Sequence, residues 1–273
     1  MVLSWLRRRR RRRCFERPLS GPWRTFLLAN FAHYKWLTEV ERARLDGLTQ
    51  ILVAEKNWEG CNGLVMTDEV KVTIAAQAAL LAIGLHEEYF DSILSVLVYP
   101  SGYVARETVQ QPGGVVLERE SPRLGEASSV GAIVLSWPDV LESGRIPDDG
   151  SNVVYHEFAH ALDLQGHGFD GAPLLESRDQ YQTWSEVMTA EYHRLIRRTR
   201  RGFDTLLDPY GTVSEAEFFA VATESFFEQP LDMQQEHPQL FELFRNFFHQ
   251  DPAERFRRAG YGTQSAKNQD TIP

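Results

Sequence analysis

The sequence predicts an α+β protein, in which helices come first, a small mixed sheet follows, and further helices complete the chain. Three observations indicate this order. Thr38 and Glu41 have the spacing of a helix capping box, short β-branched runs fill the middle, and long amphipathic runs occupy the C-terminal part. The 273 residues are enough to bury a large core.

Individual runs give the expected elements. Residues 72–85 are apolar and alanine-rich, which predicts a buried helix. Three runs rich in β-branched residues predict strands at 92–100, 113–120 and 131–137. The later runs predict helices around 156–163 and at 179–199, 214–228 and 238–256.

These elements predict one folded domain between two tails. Residues 1–17 are expected to form a disordered basic tail, and residues 261–273 a second disordered tail. The domain at 18–260 is expected to hold the N-terminal helices and the sheet up to about residue 166, and a helical subdomain from about residue 175.

Charge and cysteine content exclude several classes of protein. The net charge is −9, and because Arg7 to Arg13 contribute +7, the remainder carries −16. An acidic body argues against direct nucleic acid binding by the folded domain. Cys14 and Cys61 are too few for a disulfide framework and form no CxxC pair, which favours a reducing, cytoplasmic compartment.

The N-terminal segment resembles neither a secretory signal nor a membrane anchor. Its arginines follow a short apolar run, whereas a signal peptide places positive charge before a longer one. No stretch reaches the roughly 18 apolar residues of a membrane span, so we expect no stable membrane insertion.

Residues 155–163, "YHEFAHALD", contain an H-E-x-x-H motif. His156 and His160 are four residues apart, so on a helix both imidazoles lie on one face and can bind one metal ion. Glu157 lies roughly 100° around the helix, beside that ion, where it can deprotonate a bound water. The pattern predicts one zinc ion per chain.

The same helix has two chemically different sides. Asp163 falls within about 60° of His156 and His160. The opposite side is apolar and consists of Val154, Phe158, Ala161 and Leu162. One side is therefore expected to pack on the core and the other to face a cleft, where Asp163 either orients an imidazole or is simply solvated.

A catalytic zinc needs a third protein ligand and an open position for water. The extended motif H-E-x-x-H-x-x-G-x-x-H would place glycine at 163 and histidine at 166, but this chain has Asp163 and Gly166, with His167 one position late. Asp163 itself lies beside the ion rather than on it. A carboxylate from a downstream helix is the remaining route.

The helix expected at 214–228 supplies two candidates for that carboxylate. Glu217 and Glu224 share one side of it, and Phe219 and Phe226 lie on the other. Ser214 and Glu217 also have the spacing of a capping box. Spacing alone therefore leaves Glu217 as ligand, Glu224 as ligand, and a capping role for Glu217 all open.

Two separated motifs resemble the Mlc titration factor A family of zinc peptidases. They are "YHEFAHALD" and "Y-x6-EFFAVATESFFE", which begins at Tyr210, and the similarity extends to "MTDEVKVTIAAQAALLAIGL" at 66–85. The spacing from Tyr210 to Glu217 is also similar to that of the related anthrax lethal factor peptidase domain. The arginine run is the main departure from the family.

The resemblance implies a zincin-like fold of the gluzincin type. It also implies that His156, His160 and Glu217 bind zinc, that Glu157 is the general base, and that Tyr210 points at the transition state. Family members are cytoplasmic, have aminopeptidase activity on small substrates and bind the Mlc repressor. The resemblance thus implies a peptide substrate and a Mlc-like transcriptional repressor as partners.

Three function classes follow from these features. A zinc peptidase accounts for Glu157, which a purely structural site does not need, and for the absence of cysteine near the motifs. A regulatory module that titrates a repressor and keeps zinc mainly for structure is the alternative. A helical scaffold would need two chance motifs. The strand at 131–137, just before the motif helix, is expected either to pair with an extended substrate or to be an inner core strand.

Overall fold

The computed structural model describes residues 2–262, except residues 87, 89, 102, 111–115, 124, 129, 130, 167 and 169. The elements before the metal-motif helix are α1 (Val2–Glu16), α2 (Gly21–Asn30), α3 (Glu39–Glu55), β1 (Asn57–Gly60), α4 (Asp68–Ala82), β2 (Ser95–Tyr99), β3 (Tyr103–Gln110), β4 (Val116–Arg123), β5 (Gly125–Ser128), β6 (Ala132–Ser136) and α5 (Trp137–Arg145). The elements from that helix onward are α6 (Val153–Asp163), α7 (Arg178–Arg200), α8 (Glu215–Glu228), α9 (Pro230–Glu236), α10 (Pro238–Phe248) and α11 (Pro252–Arg258). Two 3-10 turns lie at Ala32–Trp36 and Pro209–Thr212.

The main sheet has the strand order β1-β2-β6-β5, and β3 and β4 form a separate antiparallel pair. Strands β1, β2 and β6 run parallel, whereas β5 pairs antiparallel with β6. The predicted small mixed sheet is therefore confirmed. Because β6 has a neighbour on each side, it is an inner strand, and the alternative that it pairs with an extended substrate is wrong.

Helix α4 occupies the middle of the core, as the sequence predicts. It begins at the N-cap Thr67, and every residue from Val72 to Ala82 is buried. It packs against α2, α3, α5 and α6, and its alanines allow these helices to approach closely. Thr73 and Gln77 are its buried polar residues, and the side-chain amide of Gln77 donates to the Val140 carbonyl at 3.0 Å.

The prediction of a disordered tail at 1–17 is wrong, because α1 is a helix that packs on α3. Phe15 lies directly over Gly47, where a Cβ would stand only 2.1 Å from its ring. Arg11 is 3% exposed and its guanidinium binds Glu55 at 2.7 Å and also binds Asp91. The sequence alone predicted a solvated tail because the carboxylate partners of the arginines lie far along the chain, at Glu55 and Asp91.

Burial and pairing act in opposite directions on this buried ion pair. Burial alone would lower the pKa of Arg11, but the hydrogen bonds that it donates to Glu55 and Asp91 raise that pKa above its usual value. Burial would raise the pKa of Glu55, yet the arginines lower it to about 2. Both groups are therefore charged at neutral pH, and together they fix α1 to the body.

The C-terminal prediction also needs a correction, because 238–256 forms two helices rather than one. Helix α10 ends before His249, which has a left-handed backbone with φ of 50°. Pro252 then begins α11. Proline lacks the N–H that would continue a helix and disfavours helical geometry in the residue before it. Most of the expected tail at 261–273 lies outside the described residues, although Tyr261 packs on Trp36 with ring centroids 5.3 Å apart.

Aromatic packing holds α8, which the sequence predicts at 214–228, against α7 and α10. Trp184 of α7 stacks on Phe244 of α10 with ring centroids 5.6 Å apart, and it meets Phe219 of α8 at 5.7 Å. Within the part of the chain that the structure describes, no helix is both long and apolar enough to cross a membrane.

Candidate metal centre

Asn152 fixes the start of the motif helix α6. Its side-chain oxygen accepts hydrogen bonds from the backbone N–H groups of Val154 and Tyr155, at 3.1 and 3.0 Å. Asparagine is among the preferred N-cap residues because it satisfies donors that the first turn leaves without partners. The helix that follows carries His156 and His160 on one face, one turn apart.

Three side chains converge where α6 meets α8. The Nε2 atom of His156 lies 3.0 Å from Oε2 of Glu217, and the Nε2 atom of His160 lies 3.4 Å from the same oxygen. The two Nε2 atoms are 3.3 Å apart. All three candidate ligand atoms lie within 4.8 Å of one another. Two imidazoles and one carboxylate are the donors of a catalytic zinc site with three protein ligands.

Glu217 reaches this point because of where α8 begins. Ser214 is the N-cap, and its hydroxyl accepts from the Glu217 backbone N–H at 3.1 Å. The capping interpretation thus accounts for the backbone of Glu217, while its carboxylate reaches the two histidines. A carboxylate in the first turn is also stabilised by the positive end of the helix dipole.

Glu224 lies two turns further along the same face of α8 and contacts the other nitrogen of His156. Its Oε1 is 2.7 Å from Nδ1 of His156, and its Oε2 accepts from the Asn152 backbone N–H at 2.7 Å. A carboxylate in this position holds the imidazole so that Nε2 points towards Glu217. Spacing left both carboxylates open as the third ligand. In the structure Glu217 contacts Nε2 of His156, whereas Glu224 contacts Nδ1.

The electrostatics of the cluster favour a positive charge between its members. Burial would lower the pKa of His156, but Glu217 and Glu224 raise it well above its usual value. Burial would raise the pKa of Glu217, but His156 and His160 hold it well below the usual range. Glu217 is therefore ionised at neutral pH and attracts a cation to the point where the three side chains meet.

The two residues expected to act on substrate lie beside this cluster. Glu157 follows His156 on α6, is 3% exposed, and its charge contributes to the raised pKa of His156. Tyr210 belongs to the 3-10 turn before α8, where Asp208 accepts from its backbone N–H at 2.7 Å. Its ring centroid is 6.1 Å from that of His156, and the residue is 50% exposed.

Asp163 has a different role from the one the sequence suggested. Its two carboxylate oxygens accept from the backbone N–H groups of Gly171 and Ala172, at 3.0 and 2.9 Å. It is fully buried rather than solvated, and burial raises its pKa to about 6 despite those hydrogen bonds. Asp163 thus ties the loop after α6 back to the helix instead of orienting an imidazole.

Sequence reasoning missed the polar residues behind the cluster. The side-chain amide of Asn152 donates to Gln77 at 3.2 Å and to Glu228 at 3.1 Å. An asparagine directly before an apolar helical run is an N-cap signal, so Asn152 could have been found from the sequence. Gln77, inside an alanine-rich run on a different helix, gave no such signal.

Comparison with known proteins finds a family and several relatives that match this chain along most of its length. Residues 5–249 match the family described as glucose-regulated metallo-peptidase M90. A protein of Synechocystis sp. (strain PCC 6803) is 35% identical over 251 residues, which cover 92% of this chain and 90% of that protein. Mlc titration factor A of Yersinia pestis (strain Pestoides F) is 30% identical over 229 residues, covering 81% and 82%. The same values hold for Mlc titration factor A of Yersinia pseudotuberculosis (strain YPIII).

Proposed function

Because the chain belongs to the glucose-regulated M90 family of metallopeptidases, we propose that it hydrolyses peptide bonds with one zinc ion held by His156, His160 and Glu217. The observation that carries this proposal is the convergence of the three ligand atoms within 4.8 Å. The donor set fits zinc, which binds histidine nitrogen and carboxylate oxygen and keeps a fourth position open in catalytic sites. When bound, zinc acidifies its water and polarises a carbonyl oxygen.

Glu157 is the general base in this proposal. It takes a proton from the attacking water as that water forms a bond to the peptide carbonyl carbon. When the carbon–nitrogen bond breaks, Glu157 passes the proton to the leaving nitrogen, so that it returns to its ionised form. Its position one residue after His156 puts it beside the ligand cluster without making it a ligand.

Tyr210 stabilises the carbonyl oxygen as negative charge develops on it. The ring lies next to His156, and its half-exposed position leaves it accessible to a substrate. A hydroxyl donor is most useful when that charge is greatest. Glu224 acts one step further away, because it positions His156 through Nδ1.

The substrate class we propose is small peptides cleaved in an aminopeptidase-like manner. The free thiols of Cys14 and Cys61 support action in the reducing environment of the cytoplasm. The name of the Yersinia relatives, Mlc titration factor A, refers to a protein called Mlc, and we include a Mlc-like repressor as a second partner. The alternative function is a regulatory module in which zinc serves the structure.

Hydrolysis of a panel of amino-acid p-nitroanilides, with and without a chelator, tests the proposal. We expect turnover that the chelator removes and added zinc restores. The matched variant Glu157→Gln keeps size and hydrogen bonding but lacks a basic carboxylate. Its turnover should fall by about 10²–10⁴-fold while its zinc content stays at the wild-type level.

Two outcomes would contradict this assignment. Wild-type turnover in zinc-loaded Glu157→Gln would remove Glu157 from the chemistry. No turnover by the zinc-loaded wild type across a broad peptide panel would favour the regulatory alternative.

A further inference from the structure

Helix α1 has two faces that differ in what they contact. Arg7, Arg11 and Phe15 follow one another at intervals of four and face the body of the protein. The opposite face is exposed and carries Arg8, Arg9, Arg12 and Arg13, which we call the cationic face. Arg10, outside both sets, also pairs with Glu55 at 3.0 Å. The contacts to Glu55 and Asp91 therefore hold the helix in place without the four residues of the cationic face.

The inward contacts make α1 a fixed platform. Arg7 and Arg11 both bind Glu55 and Asp91. At the end of the helix, the side-chain amide of Gln50 donates to the Cys14 carbonyl at 2.9 Å. These contacts neutralise the inward charges and fix the direction of the outward ones.

The charges of the cationic face are only weakly compensated. Arg8 lies 4.0 Å from Glu88, and Arg12 lies 3.2 Å from Glu16. The two arginine side chains are 77% and 74% exposed, and such surface pairs contribute little. The remainder of the chain outside Arg7 to Arg13 carries −16, so the cationic face is a local reversal of sign on an acidic protein.

Apolar side chains adjoin the cationic face at the N-terminal end of α1. Trp5 is 58% exposed, Leu6 is 48% exposed, and the Arg9 guanidinium lies 5.5 Å above the Trp5 ring. Tryptophan prefers the interface between water and lipid, where its ring is buried and its N–H stays hydrated. Guanidinium groups bind phosphate oxygens in a bidentate manner. An RNA partner would use the arginines but would give Leu6 no apolar environment.

We propose that the cationic face of α1 docks this protein on anionic phospholipid bilayers. The four arginines would bind lipid phosphates while Trp5 and Leu6 enter the interfacial layer, as in peripheral proteins that combine a basic patch with an apolar anchor. This surface is separate from the metal centre. Docking would therefore bring the peptidase to the membrane surface without a spanning helix.

Co-sedimentation with vesicles of phosphatidylcholine, with and without phosphatidylglycerol, tests the proposal on the full chain. The wild type should bind only the phosphatidylglycerol vesicles, and binding should weaken as salt is raised. The variant Arg8→Gln/Arg9→Gln/Arg12→Gln/Arg13→Gln should lose about 600-fold in partitioning, because each arginine near an anionic surface contributes about fivefold. The separate variant Trp5→Ala should partition to the vesicles severalfold less than the wild type, with an unchanged salt dependence.

The chain offers a matched control in four other exposed arginines, one at the start of α7 and three at or just beyond its C-terminal end. Replacing Arg178, Arg197, Arg200 and Arg201 by glutamine removes the same number of charges from another place. This control should bind vesicles like the wild type. Both quadruple variants should keep the wild-type thermal transition and chelator-sensitive metal content, since none of these residues is a proposed ligand.

Three outcomes would overturn the proposal. The first is that the wild type fails to bind phosphatidylglycerol vesicles at low salt. The second is that the α7 control loses as much binding as the α1 variant, which would make the effect one of net charge. The third is tighter binding to polyuridylate than to vesicles, with Trp5→Ala unchanged, which would identify RNA as the partner.

Discussion

Near each end of helix α8 a glutamate lies against a histidine, but one pair is charged and the other is neutral. At the metal centre, Glu217 lies 3.0 Å from His156, and at the other end Glu228 lies 3.5 Å from His33. The pKa of Glu217 is lowered and that of His156 is raised, so this pair is charged until a metal ion replaces the proton on Nε2 of His156. Burial raises the pKa of Glu228 well above its usual value and lowers that of His33 to about 3, so the second pair is neutral.

Exposure and the number of partners explain the difference. The Glu217 side chain is 19% exposed and contacts two imidazoles, which together outweigh the cost of removing its charge from water. Glu228 and His33 are fully buried, and the hydrogen bond from Asn152 does not offset the burial of Glu228. The same residue types therefore make a cation-binding end and a neutral core end on one helix.

Replacing Glu217 should have the largest effect on this comparison. Glu217→Ala removes a proposed zinc ligand, so zinc affinity should fall by more than the roughly 10–100-fold that is typical of outer partners. Glu228→Gln is the matched control, because glutamine resembles the neutral carboxyl already present there. Zinc content by mass spectrometry and competition with a chelator measure both. Zinc loss in Glu228→Gln with retention in Glu217→Ala would reverse our assignment.

Glu224→Ala should weaken zinc binding by about 10–100-fold without removing a ligand, because His156 loses the carboxylate at Nδ1. Glu224→Gln should lose less, since its amide oxygen can still accept from that nitrogen. Chelator competition ranks the two variants against the wild type. A loss in Glu224→Ala as large as in Glu217→Ala would make Glu224 the ligand instead.

His33 predicts a loss of stability with acid, whereas its partner Glu228, whose pKa is raised in the fold, contributes with the opposite sign. Below pH 6.5 the unfolded chain protonates His33, whereas the folded chain resists protonation down to about pH 3. At His33 the unfolded state then binds more protons, so the contribution of His33 to stability falls by about 2 kcal/mol between pH 7 and pH 5. Denaturant unfolding at both pH values should show that the stability change of the wild type is less favourable than that of His33→Phe by this amount. Equal losses in both proteins would mean that His33 is charged in the fold.

Tyr210→Phe should have the smallest effect. Loss of one hydroxyl donor to the substrate should lower kcat about tenfold and leave KM nearly unchanged, because the interaction forms only as charge develops. Because the ring is half exposed, the substitution should leave the free energy of unfolding unchanged. Steady-state kinetics on the best p-nitroanilide measure the effect. An unchanged kcat would leave Tyr210 as a packing residue.

The sequence predicted the parts of the site that local geometry controls. His156 and His160 share a helix face wherever a helix forms, and the apolar side of α6 ensures that it does. Glu217 was one of two carboxylates on the right face of α8, and only the resemblance to a family selected it. Spacing could not do so, because both Glu217 and Glu224 contact His156, one at each ring nitrogen.

The sequence by itself determined the α+β order, the small mixed sheet, the motif helix and the capping of α8, because hydrophobic periodicity, caps and β-branched runs act over a few residues. The tertiary structure decided the rest. The arginine run lies in α1 and binds Glu55 and Asp91. Asp163 accepts from the loop after α6 instead of orienting an imidazole, and β6 is an inner strand of the sheet. Each of these depends on contacts with residues outside the element itself, and burial of charge among those contacts sets which groups are ionised.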